Sequence, residues 1–230
     1  LGAEVEVIEF LPRILPGMDD EIAQKFLAIA KKQGLSFRLS TAVKAAKTSK
    51  TGVSLTVEPA AGGAAETVTA DIALVSVGRH PATDGLGLEA AGISLTARGR
   101  IAVDSRFETS LDDVFAIGDV IDGPMLAHKA EEDAVAAVEM MAGQPGHVDY
   151  ALVPGIVYTA PEIATLGQSE EALKAAKTDY KKGVFPFAAN SRARAQGHSD
   201  GFVKILACSQ TDKVPGVHII GHGEGTGRHA

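Results

Sequence analysis

The run Val114-Phe115-Ala116-Ile117 stops at Gly118-Asp119, and a helical pattern opens about nine residues beyond the glycine, at Ala127. A short buried strand, a glycine, an acid and then a helix start leave few folds open. The glycine lets a ligand approach the backbone, and the carboxylate can hold a sugar-alcohol hydroxyl. The helix start offers free N–H groups and the positive end of its dipole to an anion. A reduced flavin carries negative charge at its N1/O2 edge, so a helix start there would stabilise it. Read blandly, Asp119 is only an Asx-turn residue. The whole run, Thr109-Ser110-Leu111-Asp112-Asp113-Val114-Phe115-Ala116-Ile117-Gly118-Asp119, favours the flavin reading.

The rest of the chain reads as alternating elements. Residues 4–10 form a strand ending near Glu9, followed by a loop with Pro12, Pro16 and Gly17. Asp19 and Asp20 supply an N-cap and early negative charge for a helix. Ile22, Phe26, Ile29 and Ala30 share its apolar face, and Gly34 stops it. From residue 36 the period becomes two, with Val53, Leu55 and Val57 alternating and Gly62-Gly63 marking a turn. Residues 70–77 read as a buried strand running into a loop at Gly78, and residues 79–110 as a long connection. The helix expected over 127–141 places Ala130, Ala134, Ala137, Val138 and Met141 on one side. Beyond Gly143-Gln144-Pro145-Gly146, strands are expected at 156–158, 163–166, 180–187, 202–208 and 217–220. A helix over 170–176, capped by Ser169 and with Ala172 on its apolar face, completes an α+β pattern.

Several chemistries are disfavoured. The net charge is -7, with no basic block, which argues against nucleic acid. No apolar run reaches the length of a bilayer span, so a soluble protein without a membrane partner is expected. The single cysteine, Cys208, excludes an internal disulfide; its alternating neighbours suggest a buried structural thiol. Gly85-Leu86-Gly87-Leu88-Glu89-Ala90 fits a phosphate-cradling pattern but follows no strand, so it reads as a loop. The tail from Gly221 to Gly227 fails that pattern. His218 and His222 are spaced like a helical zinc pair, yet Ile219-Ile220 implies a strand, which separates them by about 13 Å. No metal site is expected. Glu9, alone, is a solvated acid at a strand end. In a dinucleotide fold it would accept hydrogen bonds from ribose hydroxyls and repel a 2'-phosphate, favouring NAD over NADP. The accompanying glycine turn would fall before Leu1.

The run from Thr109 to Asp119 matches T-x-x-x-x-[IV]-[FY]-A-x-G-D at each fixed position, and so resembles the second FAD-binding motif of the pyridine nucleotide-disulfide oxidoreductases. Gly123-Pro124-Met125-Leu126-Ala127-His128-Lys129-Ala130-Glu131 resembles the flavin-facing helix start of the dihydrolipoyl dehydrogenases in particular; glutathione and mercuric reductases carry other residues there. Gly78-Arg79-His80-Pro81 is similar to the family's G-R-R-P, with His80 in place of an arginine. Tyr158-Thr159-Ala160-Pro161-Glu162 and Phe185-Pro186-Phe187-Ala188-Ala189-Asn190-Ser191-Arg192-Ala193 resemble the start of its interface domain. Residues 225–230 stop resembling the family.

The resemblance implies an α/β protein: a partial Rossmann-type NAD-binding domain over 1–81, an FAD-contacting central segment over 82–145, and an incomplete α+β dimerisation domain over 146–230. Glu9 would bind the NAD ribose, with Val43 and Gly78 lining the NAD site. Asp119 would hold the FAD ribitol, and the backbone of Met125, Leu126, Ala127 and His128 would meet the isoalloxazine edge. The implied activity is FAD-mediated electron transfer from protein-bound dihydrolipoamide to NAD+, in a homodimer serving the lipoyl domain of a 2-oxo acid dehydrogenase or glycine cleavage complex. The implied location is the cytoplasm of a bacterium or the mitochondrial matrix of a eukaryote. The chain resembles the C-terminal half cut at both ends, without the redox disulfide or the His-Glu pair, so no catalytic residue, marginal folding and no turnover are expected of it alone. Another disulfide reductase of this fold, or a non-catalytic dimerisation module, are the alternatives.

Overall fold

The computed structural model of the protein describes residues 2–223. By contacts the chain divides into two units, one taking in residues up to Val75 and again from Pro154, the other Ser76–Val153.

In the first unit, β1 (Val5–Ile8) pairs in parallel with β2 (Leu35–Arg38), and α1 (Asp20–Lys32) connects them. A parallel pair needs such a crossover. The Asp19 carboxylate caps α1 by accepting the Glu21 N–H at 3.1 Å. Acids begin this helix and lysines end it, matching its dipole. Gly34, at φ +96°, takes the left-handed turn beyond its end. Next come β3 (Thr41–Ser49), β4 (Gly52–Pro59) and β5 (Glu66–Ala70), an antiparallel sheet in chain order with a bulge between Val43 and Ala45.

The strand expected over 70–77 does not form. β5 ends at Ala70, and Ile72, Leu74, Val75 and Val77 are 76–93% exposed. These side chains have the pattern of a strand covered on both faces. Among the described residues no strand lies beside them, so the ladder that would hold them is missing.

The second unit is mostly turns. Gly85 lies in a turn and Gly87 in irregular chain beside it, the loop that their context implies. Residues 114–117 make one isolated bridge, Phe115 to Glu108, rather than the expected strand, because no longer partner runs alongside. They still feed a core of Ile101, Phe107, Ala116 and Ile121. The helix α2 (Ala127–Met141) has the expected bounds and buries Ala136 and Ala137 in that core. Its inward face differs from the expected one. Val138 and Met141 are exposed, whereas Lys129 and Asp133 are fully buried. The face is rotated by about one residue, because an ion pair enters the interior where an apolar stripe was expected.

The first unit resumes with β6 (Gly155–Val157), β7 (Glu162–Gly167), α3 (Glu170–Ala175), β8 (Tyr180–Pro186), α4 (Ser191–Ala195), β9 (Phe202–Cys208) and β10 (Gly216–Gly221). The strands form an antiparallel sheet in the order β6-β7-β10-β9-β8. Ile22 and Ile29 of α1 pack on Ile163, Phe202 and Ile220 of this sheet. Ser169 caps α3 as expected, but Leu173, not Ala172, is its buried residue. Ala172 falls on the outer side because Glu170 and Leu173, three apart, define the inner one. Cys208 is half-buried rather than buried, since it ends β9 where the chain turns at Thr211. The Thr211 hydroxyl and nearby backbone N–H groups hold its thiol below the ordinary range. His218 lies on β10, a strand rather than a helix, and His222 follows just beyond its end. The expectation for residues 225–230 lies outside the described residues. Among those described, no helix is long and apolar enough to cross a membrane.

Candidate functional site

Gly118 opens a single 3-10 turn, Gly118–Val120, at φ +71°. A Cβ there would lie 3.0 Å from the Cβ of Ala130, so the turn sits directly on the first turn of α2. Left-handed φ and this close approach both call for glycine. Two side chains of α2 then grip its backbone. The Gly118 N–H donates to Asp133 Oδ2 at 3.0 Å, and Lys129 Nζ donates to the Gly118 carbonyl at 3.1 Å. Lys129 and Asp133 pair with each other at 2.7 Å. The Tyr150 hydroxyl donates to Asp133 Oδ1 at 2.7 Å, and Lys129 Nζ stands 5.6 Å from its ring centroid. Every charge in this cluster has partners, the condition under which buried ions are tolerated. Burial, then the hydrogen bond and charge of Asp133, push the Tyr150 phenol above its ordinary range.

The loop between turn and helix is held by two arginines. Arg100 Nη1 donates to the carbonyls of Ile121 (3.2 Å) and Gly123 (2.9 Å), and Arg79 donates to the carbonyl of Met125. The helix start itself is uncapped: Leu126 makes no capping bond and no acid stands in the first turn. Neither an N-cap side chain nor a first-turn acid offsets its positive end among the described residues. The Asp119 carboxylate is exposed and has no hydrogen-bond partner among the described residues. The arrangement suits a ligand with hydroxyls and an anionic edge.

Asp119, Met125, Leu126, Ala127, His128 and Gly78 (φ +121°) all fall in the second unit. Glu9 and Val43 fall in the first. Glu9 follows β1 directly, half-buried, and its Oε1 accepts the Leu11 N–H at 2.8 Å. Its second oxygen has no partner among the described residues. Val43 is half exposed at the β3 bulge. Sequence reasoning missed Lys129, Asp133 and Tyr150. The i,i+4 spacing of the first two was the available signal; Tyr150, 17 residues from its partner, gave none.

A second charge cluster lies in the first unit. Lys204 Nζ is 2.9 Å from both oxygens of Asp19 and 3.1 Å from Glu21, and also bonds Glu170. Asp19 further accepts the Glu170 N–H at 3.1 Å. Burial raises the Asp19 and Glu170 carboxyls, but Lys204 and the other donors outweigh it and hold both below their ordinary values. Burial lowers the Lys204 ammonium, while Glu170, Asp19 and Glu21 together raise it further. His218, buried beside them, points Nε2 at the Gln168 carbonyl (3.0 Å), and its Nδ1 has no hydrogen-bond partner among the described residues. Burial keeps it below the usual imidazole value. This cluster joins α1, α3, β9 and β10, with Asp19 and Lys204 fully buried at its centre.

Comparison with known proteins shows the family. A model described as pyridine nucleotide-disulphide oxidoreductase matches residues 1–134, and one for the dimerisation domain of such enzymes matches 153–227. The chain is 53% identical over 220 residues to mitochondrial dihydrolipoyl dehydrogenase of Pisum sativum, covering 96% of this chain and 44% of that protein. It is 51% identical over 221 residues to dihydrolipoyl dehydrogenase 3 of Pseudomonas putida, covering 96% and 47%. It is also 52% identical over 220 residues to leghemoglobin reductase of Glycine max, covering 96% and 42%. The HOCl-induced flavoprotein disulfide reductase RclA of Escherichia coli is similar in structure, with a TM-score of 0.86 at 27% identity, over 96% of this chain and 50% of that one. The chain thus spans about half the length of the curated relatives it matches. It belongs to the pyridine nucleotide-disulphide oxidoreductase family.

Proposed function

We propose that the protein to which this chain contributes is a dihydrolipoyl dehydrogenase, moving electrons from protein-bound dihydrolipoamide to NAD+. The observation that carries this reading is the Gly118–Asp119 turn, gripped by α2 beside an uncapped helix start. A flavin fits those residues: the site offers a free carboxylate for hydroxyls, a glycine approach and the positive end of a helix with no capping side chain for an anionic edge. When bound, FAD would take up the reducing equivalents of a substrate dithiol and NAD+ would carry them off as hydride.

The chain's own part is to bind and orient. Asp119 would accept hydrogen bonds from ribitol hydroxyls, and the backbone of Met125, Leu126, Ala127 and His128 would meet the ring edge. Glu9, one oxygen already held by Leu11, offers the other to the NAD ribose, and Val43 of the same unit serves that ligand; the resemblance assigns Gly78, in the second unit, to NAD as well. A dithiol needs two cysteines and this chain has one, so the redox pair comes from outside these 230 residues. The match to a dimerisation domain supports a homodimer, and the dihydrolipoyl dehydrogenase relatives support a lipoyl domain as partner. Mitochondrial and bacterial relatives support the matrix or the bacterial cytoplasm, according to source.

The test is NAD+-dependent oxidation of dihydrolipoamide by the full-length protein. Turnover with bound flavin, lost on Asp119→Ala together with the flavin, is the expected result. A full-length protein without flavin, or one that ignores dihydrolipoamide, sinks the reading. The 230-residue chain alone is expected to be inactive. The identity to leghemoglobin reductases, 52–54%, equals that to dihydrolipoyl dehydrogenases and favours one second reading, a haem-globin acceptor. Assaying both substrates side by side separates the two.

A further inference from the structure

The flavin reading uses Asp119 and the helix start, and leaves unused the buried charges behind them. We propose that Tyr150 and Asp133 are positioning residues for the flavin-holding turn, an inference that rests on that reading. The Gly118 N–H has one acceptor among the described residues, Asp133 Oδ2 at 3.0 Å. Its carbonyl takes the Lys129 ammonium at 3.1 Å, and that ammonium is itself anchored to Asp133 at 2.7 Å. Asp133 therefore holds the Gly118 N–H directly and bears on its carbonyl through Lys129, a carbonyl that also accepts the Ile121 N–H at 3.3 Å; the orientation of Gly118 sets that of Asp119, the next residue.

An aspartate held through one oxygen can still turn, because its terminal torsion is broad and roughly two-fold. Tyr150 removes that freedom. Its hydroxyl donates to Oδ1 at 2.7 Å while Oδ2 is engaged from the other side, so the carboxylate plane is fixed at both ends. Tyr150 is held in turn by the 3-10 turn Tyr150–Leu152, which Asp149 caps by accepting the Ala151 N–H at 3.0 Å. A phenol donor also suits this place chemically. Its proton is bound more firmly than usual beside the Asp133 charge, so the hydroxyl stays a donor across the physiological range.

The experiment uses the full-length holoenzyme, stripped of flavin and titrated with FAD while flavin fluorescence and release rate are followed. Tyr150→Phe keeps the ring and removes only the hydroxyl. It is expected to weaken FAD binding roughly fivefold and speed release, with the melting temperature of the flavin-free protein little changed. Asp133→Asn loses the charge-assisted bonds and is expected to weaken binding by roughly ten- to a hundredfold; Asp133→Glu, which restores the charge, recovers part of it. A purely structural role would lower the melting temperature and leave FAD affinity unmoved. If the unsubstituted protein binds FAD and Tyr150→Phe binds it equally well, the inference is overturned while the flavin reading stands. If the unsubstituted protein binds no FAD, both fall. Should Asp133→Asn fail to fold, Tyr150→Phe decides alone.

Discussion

The two buried charge clusters differ in what they join. The Asp19–Lys204 pair ties residues 185 apart in sequence, and with Glu170 and His218 it locks four elements of the first unit. The Lys129–Asp133 pair is one helical turn long and grips a single glycine turn. Both are fully desolvated, so neither is explained as a surface ion pair. The first joins four elements around two fully buried charges; the second lies beside an exposed acid and an uncapped helix. Buried charge thus serves assembly in one unit and, on the proposed reading, placement of a ligand in the other.

The largest effect should come from breaking the first cluster. Lys204→Met leaves Asp19 buried without its main cation and should cost about 3–5 kcal/mol of stability. Urea unfolding followed by far-UV circular dichroism measures it. A loss below about 1 kcal/mol would mean that the cluster is solvated in solution and that the contrast fails. Next comes Gly118→Ala in the second unit. The left-handed φ of +71° and the 3.0 Å approach to Ala130 should together cost about 1–3 kcal/mol. Adding Ala130→Gly relieves the contact but not the backbone strain, so only part of the loss should return.

The clusters should also separate by pH. His218 is kept neutral by burial, facing Asp19 and Lys204 and within the field of Glu171. Its folded value is depressed, so the unfolded chain binds more protons once pH falls below about 6.5, and stability falls with it. Asp19 and Glu170 are depressed too, and add to the loss below about pH 4. Lys204 is raised, so its contribution holds below about 10.4 and fades as pH rises beyond. Tyr150 is raised as well, and its contribution fades only above about pH 10. Hydrogen exchange should therefore show β9 and β10 losing protection on acidification before α2 does. Simultaneous loss would show that the imidazole is not what fails first.

Much of this architecture is legible in the sequence, and the failures have one cause. β7 to β10 and α1 announce themselves by alternation and by caps whose partners are local. The strand expected at 70–77 fails because strand formation needs a neighbour that residue pattern cannot supply. The face of α2 was set one residue off because Lys129 and Asp133 count as polar until their partners are known. β9 shows the same limit: Phe202, Lys204 and Leu206 point inward while Ile205 is partly exposed, so a lysine takes a core position. The Gly118–Asp119 turn was readable, being a continuous run of residues; the side chains that hold it lie 11 to 32 positions away.

The smallest predicted effect bears most directly on the difference between the units. α1 and α3 are capped by Asp19 and Ser169, and both carry acids in their first turns. Ser169→Ala should accordingly cost about 1 kcal/mol, the ordinary value of a lost cap. α2 has neither cap nor acid, although Leu126 stands where either could act. Leu126→Asp should therefore stabilise the flavin-free protein by about 0.5–1 kcal/mol, because it supplies both. The same carboxylate would occupy N–H groups of the first turn and cancel the dipole that an anionic ring edge needs. A more stable protein that binds FAD less tightly is the expected outcome, read by thermal melting and FAD titration on the full-length enzyme. If the substitution stabilised the protein and left FAD affinity intact, the open helix start would be an accident of sequence rather than part of the site, and the contrast would rest on the turn alone.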